Sequence, residues 1–239
     1  MDTTLFCKTF KKDILVMQIY VDDIIFGSTN ALLCKGFVES MQAEFERSLM
    51  GELKFFLGIQ INQHSEGTYI HQRKYIRKLM KKFNLSGCKK AKNPMHPTCI
   101  LEKEKVSTKV NQKLFRGMIG SLLYLTTSRL DILFSIYLCA HVQSDPKETH
   151  LTIIKRIFRY LKGNTNLGLF YRRSSEYKLV SYYDADYVGD RIKRKSTFGS
   201  CQFLGDNLIS WSNKRQSTIE LSTAEAEYVA ASGCNTQIL

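Results

Sequence analysis

The sequence predicts an α+β fold, and three observations carry that expectation. Strand formers dominate residues 5 to 26, three apolar-periodic helices lie between residues 110 and 162, and strands return after Tyr177. Of the 239 residues 44% are apolar, enough to fill a core in one large or two modest domains.

Leu5 to Phe10, the turn-like Lys11-Lys12-Asp13 and Ile14 to Tyr20 read as a hairpin, and Ile24 to Phe26 as a further strand after the tight Asp22-Asp23 link. Residues 31 to 46 have helical spacing, with Leu33, Phe37, Met41 and Phe45 in one stripe. Phe55 to Ile61 reads as one strand, and Ser65-Glu66-Gly67 turns it into Thr68 to His71. The helix Gln72 to Phe83 sets Tyr75, Ile76, Leu79, Met80 and Phe83 on one side. Its other side carries Arg73, Lys74, Arg77, Lys78, Lys81 and Lys82. From Gly67 to Leu101 there are nine basic residues and no acid. A solvated helix face explains the helix alone; the acid-free stretch favours a surface that tracks phosphates.

Pro94 and Pro97, two of only three prolines, mark residues 84–108 as a linker. Val110 to Thr127 is a helix by Leu114, Met118, Leu122 and Leu125, and Ile132 to His141 by Ile132, Ile136 and Ala140. Glu148 to Lys162 buries Leu151, Ile154, Phe158 and Leu161 and keeps Lys155, Arg156, Arg159 and Lys162 on its polar side, with Gly163-Asn164 as a stop. Leu179 to Tyr183, Gly199 to Leu204 and Leu208 to Trp211 read as strands, the last two joined at Gly205-Asp206-Asn207. A final helix runs from Thr223 towards Ala231, and there is no internal repeat.

The formal net charge of +13 points to a polyanionic partner, of which nucleic acid is the commonest. Seven scattered cysteines without a CxxC fit a reduced intracellular protein, cytoplasmic or nuclear. The run Ile14 to Val21 is far shorter than the ~20 residues that span a bilayer, and no signal segment precedes it. The histidines show no zinc spacing, and neither GxxxxGK[ST] nor GxSxG occurs, so zinc chemistry, a P-loop and a nucleophile elbow are all disfavoured.

Two groups of carboxylates could carry chemistry. Tyr20-Val21-Asp22-Asp23 puts adjacent acids where a hairpin link usually takes Asn-Gly or Asp-Gly. A hard divalent cation such as Mg²⁺ would remove their repulsion, and paired ions of that kind drive phosphoryl transfer. An ordinary acidic turn is the alternative. The second group is Asp184-Ala185-Asp186 at a strand end, with Glu225 and Glu227 about forty residues on. Ser222 and Glu225 fit a capping box. Glu227 lies about 200° around the helix from Glu225. Glu227 is therefore the candidate to turn towards Asp184, with a plain surface pair at Asp184 and Asp186 as the alternative.

In order, these pieces resemble the Pol polyprotein of copia-type LTR retrotransposons. The matching stretches are residues 19–27 (IYVDDIIFG), 51–61 (GELKFFLGIQI), 118–126 (MIGSLLYLT), 156–163 (RIFRYLKG), 184–186 (DAD), 194–197 (RKST) and 222–228 (STAEAEY). The resemblance implies partial palm hairpins of a reverse transcriptase (an RNA-directed DNA polymerase) with a helical thumb, then a truncated RNase H-like mixed sheet and helix. It implies a palm and the start of the thumb in 1–83, a linker in 84–108, helical thumb or connection in 109–170 and the N-terminal part of RNase H in 171–239. Asp22 and Asp23 would then be the catalytic metal pair of the polymerase hairpin, with Mg²⁺ as cofactor. Phe56-Leu57-Gly58 would sit on the neighbouring strand turn that holds the primer end. Asp184 and Glu227 would be RNase H carboxylates, with Asp186 a neighbouring metal ligand. Arg73, Lys74, Arg77, Lys78, Lys81 and Lys82 would grip an RNA/DNA hybrid or duplex through phosphates.

Against the family pattern, Leu130 replaces the proline of Arg-Pro-Asp and Arg47 an apolar residue. The family's first polymerase aspartate would precede Met1, and a further RNase H aspartate would follow the last helix. The expectation is therefore no polymerase and little or no RNase H activity from this chain alone. A non-catalytic nucleic-acid-binding remnant and a decayed reading frame are the alternatives. The strands from Ile14 to Phe26 are expected to leave an unpaired apolar edge.

Overall fold

A computed structural model describes residues 4–46, 48–96, 108–190 and 194–236; Arg47, Pro97 and Cys99 lie outside them. The chain forms two compact units, Met1–Lys54 and Phe55–Leu239.

In the first unit β1 (Leu5–Phe10), β2 (Asp13–Tyr20) and β3 (Asp23–Ser28) form an antiparallel sheet in chain order, followed by α1 (Ala31–Glu44). Both hairpins have two-residue links, because Phe10 pairs with Asp13 and Tyr20 with Asp23. The first link residues, Lys11 (φ 53) and Val21 (φ 52), are left-handed. For β-branched Val21 that conformation is strained, by on the order of 1–2 kcal/mol. Alternation sends Leu15, Met17 and Phe26 to the face that α1 covers, where Phe26 and Phe37 meet at 4.9 Å. The opposite face leaves Leu5, Ile14 and Val16 exposed. Asn30 starts α1 by accepting the Leu32 N–H (3.0 Å) and donating to Asp13 (3.0 Å). Phe45, expected in the apolar stripe, falls at the C-cap and stays exposed.

The second unit begins with β4 (Phe55–Phe56), β5 (Ile59–His64) and β6 (Gly67–His71), and β7 (Gly168–Arg172) completes that sheet on the far side of β6. The single strand expected over 55–61 is instead broken at Leu57 (φ 46) and Gly58 (φ 82), two consecutive left-handed residues that reverse the chain into a hairpin. The left-handed conformation favours glycine at Gly58, which also sits close to Tyr124: a methyl group there would lie 2.7 Å from its hydroxyl.

Helices α2 (Arg73–Lys82), α3 (Gln112–Leu125), α4 (Leu133–Ala140) and α5 (Glu148–Gly163), with a 3-10 turn at Leu130–Ile132, build the main core. Ile76, Phe115, Leu122, Ile136, Ile154 and Phe158 are fully buried in it. Leu114, expected in the α3 stripe, is 47% exposed, and its neighbour Phe115 takes the core place. Buried Gln72 joins β6 to the end of α3: it donates to the Tyr124 carbonyl (3.3 Å) and accepts from Ser128 Oγ (2.8 Å).

Part of the basic face of α5 is spent on structure. Arg159 donates to the Lys89 carbonyl (2.9 Å), Lys162 to the Cys88 carbonyl (2.7 Å), and Arg156 to the Asn93 side chain. These bonds strap residues 86–93, the described start of the expected linker, along the helix.

The last sheet is β8 (Leu179–Asp190), β9 (Lys195–Leu204) and β10 (Asn207–Arg215), with β9 central, and α6 (Thr223–Asn235) packs against β8 and β9. β8 runs longer than expected, so Asp184-Ala185-Asp186 lies inside the strand rather than at its end; the ladder slips only between Asp186 and Asp190. Asn207 links the two sheets with its amide, accepting from Arg172 N (2.6 Å) and donating to Arg172 O (2.9 Å). No helix of the described residues is long and apolar enough to cross a membrane. No disulfide joins the described cysteines.

Candidate functional site

Asp22 occupies the second position of the β2–β3 link and Asp23 opens β3; both are exposed. The strained Val21 turn holds the pair at the hairpin tip. Oxygen donors of this kind suit Mg²⁺, which keeps water and phosphate in its shell. Among the described residues, however, no three His, Cys, Asp or Glu side chains are grouped to hold a metal. Asp22 and Asp23 therefore match Mg²⁺ in chemistry but not in number, and no catalytic step follows from them alone.

Asp184 and Asp186 project from one face of β8 into an open cleft of about 370 Å³, whose opposite wall is Leu130, Leu133 and Phe134. Ala185, between them, pairs with Phe198, and the Phe198 ring reaches Gly233 of α6. The face carrying Ala185 is thus the one α6 covers, and the two aspartates point the other way. Glu227 comes from the α6 side and accepts the Ala185 N–H at 3.3 Å. Its carboxylate meets the edge of β8 between the two aspartates, and among the described residues the three carboxylates are not grouped to hold a metal. Glu225 is occupied at the helix start: its N–H donates to Ser222 Oγ (3.2 Å) and its carboxylate accepts from Leu221 N (2.7 Å). Asp186 has a further neighbour. A methyl group on Gly189 would meet Asp186 Oδ2 at 2.5 Å and Thr197 Oγ1 at 2.6 Å, so the carboxylate folds back on the slipped end of β8. Cys201 lines the same cleft; burial first, and then Cys234, push its thiol above its ordinary value, which keeps it protonated.

The α2 face is organised differently. Ile76, Leu79 and Met80 anchor the helix, leaving Lys74, Arg77, Lys78, Lys81 and Lys82 exposed and Arg73 half-buried. No carboxylate pairs with any of these six among the described residues. The Arg73 Nε is shielded from solvent and has no hydrogen-bond partner among those residues.

Sequence reasoning missed two charged groups that this unit builds. Arg129 is fully buried and grips Asp131 with two bonds, Nε to Oδ1 (2.9 Å) and Nη2 to Oδ2 (2.7 Å), while Nη1 donates to the Asn164 carbonyl (2.8 Å). Asp190, also buried, accepts from Arg215 (2.9 Å) and lies 3.8 Å from His141, tying β8 to β10 and α4. The Arg-Leu-Asp spacing hinted at the first. Nothing local signals the second, whose members come from three elements.

The reverse transcriptase (RNA-dependent DNA polymerase) family matches residues 1–97. The chain is 33% identical over 237 residues to the retrovirus-related Pol polyprotein from transposon RE1 of Arabidopsis thaliana, covering 99% of this chain and 16% of that one. It is 30% identical to the Pol polyprotein from transposon TNT 1-94 of Nicotiana tabacum, covering 96% of this chain and 18% of that one. An uncharacterized mitochondrial protein of Arabidopsis thaliana is 33% identical over 217 residues, 90% of each chain. No solved structure matches. The chain thus spans less than a fifth of the two polyproteins, and it belongs to the Pol polyproteins of copia-type LTR retrotransposons as a reverse-transcriptase fragment.

Proposed function

We propose that this chain binds nucleic acid, as an RNA/DNA hybrid or duplex, through the cations of α2, and that alone it does not polymerise. The observation that carries the reading is the row of exposed cations on a helix whose opposite side is locked into the core, with no carboxylate to neutralise it among the described residues. On this reading the sheet and helix of the first unit correspond to palm, α2 to α5 to thumb, and β8 to β10 with α6 to an RNase H-like part. Asp22 and Asp23 contribute two ligands towards Mg²⁺. Asp184, Asp186 and Glu227 have the same ancestry, but among the described residues they are not grouped to hold a metal, which leaves RNase H chemistry without a complete set. Well-placed metal ions need all their carboxylates, because loosely held cations lose the alignment that makes phosphoryl transfer fast.

Binding of a labelled RNA/DNA hybrid at a series of salt concentrations tests the reading. Affinity should fall as salt rises, because each phosphate contact releases counterions. Replacing Lys78, Lys81 and Lys82 together by glutamine should flatten the log–log slope by about 2.7, at about 0.9 per contact. Salt-independent binding, or an unchanged slope, refutes it. Mg²⁺-dependent primer extension that disappears in Asp22→Asn would overturn the statement on polymerisation.

A further inference from the structure

We infer that the outer edge of β1 is a self-pairing surface: two copies of this chain join β1 to β1, antiparallel, about a two-fold axis at Cys7. The pairing of β1 with β2 decides which backbone groups are left over. The Thr4 carbonyl accepts the Ile19 N–H (2.9 Å), and Phe10 closes the two-residue link opposite Asp13. Even-numbered residues of β1 therefore turn their N–H and C=O towards β2, while those of Leu5, Cys7 and Thr9 point away from it. β1 ends the sheet order β1-β2-β3, and every one of its residues is exposed. The edge has no proline, and its ladder with β2 runs without a bulge from Leu5 to Phe10, so it is straight enough to take another strand.

Register and charge select a second copy as the occupant. An axis at Cys7 sets Leu5 opposite Thr9 of the second copy, Cys7 opposite Cys7 and Thr9 opposite Leu5. Each of these pairs exchanges two hydrogen bonds, so all the outward groups are used. An axis at Lys8 would set the two Lys8 charges face to face, and one at Phe6 would carry Thr9 past the start of the other strand. The Cys7 axis instead places Lys8, the one charged residue of β1, opposite Phe6 of the second copy. Lys8 already has an aromatic neighbour of this kind, with its Nζ 4.9 Å from the Phe10 ring centroid. On the other face Val16 pairs directly with Cys7, so the row Val16-Cys7 continues into Cys7-Val16 of the second copy. Small apolar side chains then cross the seam without a break, covering part of the face that leaves Leu5 and Val16 exposed. Such an interface is isologous, each copy giving and receiving the same contacts.

Sedimentation velocity of the full chain under reductant, over a range of protein concentrations and without nucleic acid, tests the pairing. The wild type should pass from monomer to dimer as concentration rises. The association should be weak, because a seam of one short strand falls below the ~1,200 Å² of a stable interface. Thr9→Pro removes an N–H that points away from β2, a position where an edge strand tolerates proline, and circular dichroism checks that the fold stands. It should raise the dimer dissociation constant roughly tenfold, at one lost bond in each copy. Cys7 is exposed, so charges are accommodated there in the monomer. Cys7→Asp and Cys7→Lys each bring like charges together at the axis and should weaken the dimer, whereas an equimolar mixture of the two should restore it. A wild type that stays monomeric, assemblies larger than a dimer, an undiminished dimer in Thr9→Pro, or a mixture no better than its components overturns the proposal.

Discussion

Replacing Arg129 with alanine probes the most heavily buried charge in the described structure. Its side chain is 1% exposed, and that of Asp131 is 31% exposed. The substitution deletes both bonds to Asp131, orphans the Asn164 carbonyl and empties the space beside Tyr160, whose ring lies 5.8 Å from the guanidinium carbon. Removing one partner of a buried pair costs about 3–5 kcal/mol, far more than the intact pair contributes over an apolar substitute. For a unit of this size, at about 2–4 °C per kcal/mol, the melting temperature should fall by about 6–20 °C. Differential scanning calorimetry of wild type, Arg129→Ala, Asp131→Ala and the double variant closes the cycle. The double variant should be less damaged than the sum of the singles, because each single leaves a charge behind. A shift below about 2 °C in Arg129→Ala, or strict additivity, would show that the pair is not the clasp described.

Two further outcomes follow from the same region and from β6. Leu130→Pro should stabilise the chain by about 0.4–1 kcal/mol, a rise of about 1–4 °C in calorimetry. Leu130 opens the 3-10 turn, where its N–H has no intrahelical partner, and Arg129 before it is already non-helical (φ −125, ψ 75). A loss of stability would refute this. His71 is held below its ordinary pKa, first by burial and then by the Arg73 charge, and its Nδ1 accepts the Arg73 N–H (3.4 Å). The unfolded chain therefore takes up this proton first. The contribution is complete above about pH 6.5 and is lost as pH falls from there through the lower folded value. Thermal melts should show His71→Asn losing less stability than wild type over that acid range; parallel losses would sink the assignment.

The basic helix was legible because its signal is local: apolar residues recur with the helical period, and the cations fill what remains. The same holds for α5, whose core stripe of Leu151, Ile154, Phe158 and Leu161 is buried as expected. Sequence could not tell that Arg156, Arg159 and Lys162 would be spent strapping residues 86–93, since their acceptors lie about seventy positions away. By pattern alone the 55–61 segment misled, because Phe-Phe-Leu-Gly-Ile is apolar throughout; the resemblance placed a strand turn at Phe56-Leu57-Gly58, where the left-handed Leu57-Gly58 pair turns the chain. β7 gave no signal of its own. It exists because β6 offers an edge to pair with, Gly67 facing Arg172.

By itself the sequence determined the family, the α+β class, the helix faces and the identity of the carboxylates, since each depends on neighbours within a turn or two of chain. Tertiary structure alone decided which groups meet: that Asp184 and Asp186 line a cleft while Glu227 reaches the edge of β8 at Ala185, and that Lys74 lies over the Phe55 ring. The reason is geometric. Strand parity and helix docking set the side from which a side chain emerges, and both are fixed by partners that a local pattern does not contain.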